Sequence, residues 1–234
     1  MRNGGKTSLI AAVVGCALLL ACGCAKSPQR KAELEKKAQA RAKIAELETT
    51  VAKAQDDASR AKALRGILDI EVMDIGELKP ALDLYAKNEA LLSGDCASRV
   101  YVAVAQSMVA GREKKIENKL KWLRVGMNSF EALREEFPDD RLVYLYQAST
   151  YANFPREVGA KDEVLSILDD IRGRYERKAW AVEEGDVGNI DYIYATLERT
   201  YSDTSSKDEL GASRKRFAAL GPEFAALEKG SARK

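Results

Sequence analysis

Cys22 and Cys24 stand on either side of Gly23, close to the N-terminus and just after an apolar run. Two thiols at that spacing serve a disulfide, a metal site or a covalent anchor. Zinc fits poorly: the chain has no histidine, and its cysteines show no zinc-type spacing. A Cys24–Cys96 bridge stays open in an oxidising compartment, although nothing in the local pattern brings those two residues together. The other place for chemistry is the densest acidic cluster, Glu183, Glu184, Asp186 and Asp191, broken by Gly185 and Gly188. Carboxylates can work as an acid–base pair or hold calcium. This stretch lacks the alternating Asp/Asn register of a calcium loop, and a solvated connection between helices is expected instead. Without histidine there is no Ser-His-Asp triad and no Cys-His pair, and the commonest general base near neutral pH is missing. No catalytic residue, metal or cofactor is therefore expected.

The residues ahead of the cysteines favour the anchor. Arg2 and Lys6 make a short positive start, and Ser8 to Ala21 is uncharged and mostly apolar, the layout of a secretory signal. That run falls short of the roughly 20 apolar residues that cross a bilayer. Leu19-Leu20-Ala21-Cys22 resembles the lipobox of bacterial lipoproteins. The resemblance implies a diacylglycerol on Cys22, cleavage after Ala21, and durable attachment to a membrane once two or three chains are present. Cys24 is the poorer candidate, because Ala21 stands where a bulky aliphatic residue is expected three places before it. Gly23, second in the processed chain, carries no acidic retention signal. The expected address is the periplasmic side of the outer membrane in a double-membraned cell.

Charge is dense and balanced, with 38 basic against 36 acidic residues, so no electrostatic footprint for nucleic acid follows. Sparse Pro and Gly divide the chain into segments of helical length. Behind a tether at 22–29, residues 30–65 contain neither and are rich in strong helix formers. Ile44, Leu47, Val51, Ala54, Ala58 and Ala61 recur there at steps of three and four, an apolar seam on a predicted helical stalk. Further helices are expected at roughly 77–92, 96–110, 114–136, 140–153, 160–175, 190–201 and 206–219. The predicted class is all-α, with a helical domain over 66–222 and a charged tail over 223–234.

Residues 107–174 carry a second resemblance. Gly126, Phe130 and Pro138 match the small, bulky and proline positions that end a tetratricopeptide unit, and Tyr144, Ala148 and Tyr151 match those that open the next. Ala160, Val164 and Ile167 follow as its second helix, 34 residues after the first small position. Small residues let helices approach, and aromatic ones fill the space between pairs. The pattern departs at Gln147, where leucine is expected, and at Leu133, where a small residue is usual; no tryptophan opens either unit. The chain looks like a tetratricopeptide-type array of antiparallel helix pairs. The stretch RLVYLYQASTYANFPREVGAKDEVLSILDDI, in an anchored protein, is also similar to the lipoprotein T component of some tripartite periplasmic transporters and to lipoproteins that assist outer-membrane assembly.

At helical spacing, Trp122, Phe130, Tyr144, Tyr151 and Phe154 read as core. In a tetratricopeptide-like register the first helix of a unit turns another stripe into a concave groove: Leu142, Leu145, Ser149 and Asn153. Unburied leucines beside polar groups would suit a peptide, a protein or a small apolar ligand. The expected function is a membrane-anchored binding scaffold, a transporter accessory if the T-component likeness holds. The alternative is a carboxylate-dependent enzyme of the cell envelope.

Overall fold

The computed structural model describes residues 28–229. Cys22, Cys24 and the signal segment lie outside the described residues. By contact the chain falls into two units, divided between Glu46 and Leu47. The described part of the first is the N-terminal portion of α1 (Pro28–Lys53). Its Ala, Lys, Glu and Gln are strong helix formers, and the exposed pairs Lys31–Glu35 at 3.9 Å and Lys37–Glu33 at 3.2 Å add i,i+4 support of a few tenths of a kcal/mol each.

The predicted continuous helix over 30–65 is two helices. Asp56 sits in an extended conformation, and its carboxylate accepts the Ser59 N–H at 2.7 Å and the Ser59 hydroxyl at 2.9 Å, which starts α2 (Asp57–Asp69) afresh. Short polar side chains compete with helix continuation and favour caps. Tertiary packing completes the break: a Cβ on Gly66 would lie 3.1 Å from Leu47 Cδ1, so the two arms lie in close contact. Leu47, Val51 and Ala61 of the predicted seam are partly buried, and Ala58 is exposed.

α2 runs into a wider π turn, Ile70–Ile75, closed by Gly76 at φ 72. The left-handed conformation there suits glycine, and it lets the N–H groups of Gly76 and Glu77 both reach the Glu71 carbonyl. Next come α3 (Leu78–Lys87), α4 (Glu89–Leu92), α5 (Cys96–Arg112), α6 (Ile116–Glu136), α7 (Arg141–Ala152), α8 (Lys161–Glu176), α9 (Asp186–Thr200), α10 (Thr204–Ala218) and closing 3-10 turns at Pro222–Lys229. Asp95, Asp140 and Asp203 cap α5, α7 and α10 by accepting backbone N–H groups at 2.9 Å. There is no strand among the described residues. The fold is all-α, as the sequence predicts.

α5 with α6, α7 with α8, and α9 with α10 form successive helix pairs, and α5, α7 and α9 also pack in series. One apolar core extends from Leu64 to Leu227. Gly126, Phe130, Tyr144, Ala148, Tyr151, Ala160, Val164 and Ile167 are all buried in the second unit. Phe130 meets Tyr151 edge-on at 5.9 Å, and Tyr151 stacks on Phe154 at 5.0 Å. Trp122 is only partly buried. Gln147, at the leucine position, is buried with its Oε1 unpartnered.

The predicted charged tail over 223–234 needs correction as well. Phe224 and Leu227 are buried; Phe224 lies 5.2 Å from the Tyr175 ring, and Arg214 Nε donates to the Leu227 carbonyl at 2.8 Å. Two apolar anchors in a charged stretch suffice to fold residues 222–229 onto the core.

Candidate ligand-binding groove

α5, α7 and α9 are packed over much of their surface, and each lends one face to a shared cavity. On α5 it is Val104, Ser107, Met108 and Gly111; on α7 it is Tyr146, Ser149 and Thr150, continued by Asn153; on α9 it is Asn189 and Tyr192. These positions are spaced by three and four, so each set forms one helical face. Together with Val72 and Met73 of the π turn, and Lys119 and Leu123 of α6, they enclose a cavity of about 680 Å³.

The stripe predicted on α7 was displaced in part. Ser149 and Asn153 line the cavity, whereas Leu145 is 2% exposed within the core and Leu142 is partly buried away from the cavity. The physical reason is crowding. Val143, Tyr144, Gln147, Ala148 and Tyr151 are also buried, so α7 is packed on most sides and its open face is rotated toward Tyr146 and Thr150. Asn153 is held in place: its Nδ2 donates to the Ser149 carbonyl at 2.8 Å, and its Oδ1 accepts the Tyr192 hydroxyl at 3.2 Å.

Apolar groups dominate the walls. Met73 and Met108 are 47% and 39% exposed, large apolar side chains left to solvent beside Leu123, Phe154 and Pro155. Methionine's unbranched, polarizable side chain adapts to irregular apolar contacts. The charged lining residues are Arg112 and Lys119, both cationic. Arg112 donates to the Gly76 carbonyl at 2.6 Å and so ties the end of α5 to the π turn. The Ser107 hydroxyl is buried and has no hydrogen-bond partner. Sequence spacing missed Met73, Ser107, Met108 and Tyr192; a π turn has no period of its own, and the free face of α5 cannot be told from its packed faces in so apolar a helix.

The acidic cluster is dispersed into structural contacts. Gly185, at φ 92, turns the chain directly into α9, which begins at Asp186 and not at 190 as predicted. Asp186 is buried rather than solvated; its carboxylate accepts Arg141 and the Tyr175 hydroxyl, each at 2.8 Å, and the Glu183 N–H at 2.7 Å. An acid at a helix start also complements the dipole. Asp191 pairs with Arg214, while Glu183 and Glu184 are exposed. Among the described residues no group of three or more His, Cys, Asp or Glu is placed to hold a metal ion. Cys96 is half-buried at the start of α5, and burial beside Asp140 pushes its thiol up to about 12, far from a reactive thiolate.

No protein-family model, curated protein or solved structure matches this chain. Among the described residues, no helix is long and apolar enough to cross a membrane.

Proposed function

We propose that the protein is a lipid-anchored binding scaffold of the bacterial cell envelope. Cys22 carries the lipid, outside the described residues, and tetratricopeptide-like helix pairs hold a peptide, a protein or a small apolar ligand. The cavity of about 680 Å³ on the series α5, α7 and α9 is the observation that carries this reading. Ligand sites occupy about 300–1,000 Å³, with mostly apolar walls and a few polar groups that fix orientation. Binding is preferred to the carboxylate-enzyme alternative because Asp186 and Asp191 are engaged by Arg141, Tyr175 and Arg214. A place as transporter accessory on the outer membrane's periplasmic side belongs to the same proposal.

Crosslinking in the native cell followed by mass spectrometry tests it. Wild type is compared with a variant carrying Met108→Asp and Ser149→Arg, both on the open face. A discrete partner captured by wild type and lost in the folded variant is the expected result; a partner retained by the variant would remove the groove from the interaction.

A further inference from the structure

The lining of the groove is one-sided in charge. Arg112 and Lys119 are its ionised side chains, and no Asp or Glu lines it. In a chain with 36 acidic residues, their exclusion from a lining this large leaves the cavity with a net positive lining. Lys119 makes no ion pair with any described residue, and part of the Arg112 guanidinium is spent on the Gly76 carbonyl. Met73, Met108 and Phe154 supply large apolar side chains to the same lining.

We infer that the groove takes an anionic amphiphile of the acyl-carboxylate type, its chain against Met73, Met108 and Phe154 and its carboxylate toward Lys119 and Arg112. This rests on the binding-scaffold reading and narrows it to a ligand class. Charge complementarity makes the choice: a neutral apolar molecule would gain nothing from the two cations, and a cationic amphiphile would meet like-charge repulsion.

The test is equilibrium binding of decanoate, decanol and decylammonium to the full chain in lipid nanodiscs, with empty discs subtracted. The three share a chain length and differ in head charge. Decanoate is expected to bind at least tenfold more tightly than the other two, and Ser149→Trp, which fills the groove, to abolish the signal. Lys119→Glu should reverse the ranking toward decylammonium; Lys119→Met, which keeps the stem without the charge, should bring decanoate and decanol within threefold. Equal binding of decanoate and decanol to wild type, or an unchanged ranking in both Lys119 variants, overturns the assignment of the head group. Saturable binding by none of the three overturns the ligand class altogether. A protein crosslink that still depends on Met108 and Ser149 would then show that the groove functions but holds something else.

Discussion

A Cβ placed on Gly126 of α6 would stand 2.1 Å from Ser107 Oγ of α5, 3.0 Å from its backbone nitrogen and 3.1 Å from its Cβ. The hydroxyl alone can rotate aside. The backbone nitrogen and Cβ cannot, so the helices themselves must part. Gly126→Ala should therefore destabilise the protein by about 2 kcal/mol, although alanine favours an isolated helix by roughly 1 kcal/mol. Urea unfolding of the variant is the measurement, and a gain in stability would show that the crossing is loose. Because Ser107 also lines the groove, any ligand bound there should weaken in the same variant.

Gln147 is the reverse case, a polar group where the core asks for an apolar one. It is 1% exposed and its Oε1 has no partner. Gln147→Leu has similar volume but alone would strand the buried Tyr151 hydroxyl that its amide faces; combined with Tyr151→Phe it removes both buried polar groups, and stability should rise by about 1 kcal/mol. A higher urea midpoint with an unchanged slope would support this; a loss would mean that the amide serves a contact made only in the working protein.

The proposed anchor yields a simple chemical prediction. Cells labelled with an alkynyl fatty acid should show labelled wild type and Cys24→Ala but unlabelled Cys22→Ala, which should also accumulate as uncleaved precursor. Label that survives Cys22→Ala and disappears with Cys24→Ala would move the anchor by two residues. Membrane fractionation of the labelled protein checks the outer-membrane address in the same cells.

Helix positions were legible because Pro and Gly punctuate them, and the buried set Phe130, Tyr144, Ala148, Tyr151 was legible because spacing of three and four is a direct consequence of helical geometry. The break at Asp56 was not, since a composition rich in helix formers hides one cap that tertiary packing on Gly66 makes decisive. The groove was half legible. Ser149 and Asn153, placed on an expected groove stripe, do line the cavity, but which neighbours cover Leu145 depends on how α5, α8 and α9 surround α7, and a single helix's pattern does not contain that. The partners of Asp186 lie on α7 and α8, far away in sequence, so its burial was equally invisible.

Glu71, in the π turn next to the groove residues Val72 and Met73, gives a pH dependence with a definite sign. Its Oε2 is buried without a partner, and burial, reinforced by Glu77 and Glu48, raises its carboxyl from 4.5 to about 7. Between those values the folded protein keeps a proton that the unfolded chain has lost. Stability is thus fully present below about pH 4.5 and falls as pH rises toward 7, where the folded form must finally ionise. Because the side chain is only partly buried, solvent screening reduces the effect to on the order of 1 kcal/mol. Glu71→Gln should flatten the decline and leave the variant more stable than wild type at pH 8, with little difference at pH 4.5. Urea unfolding at pH 4.5, 6 and 8 reads this directly. If wild type instead gains stability across that window while the variant does not, Glu71 is ionised and paired in the folded protein.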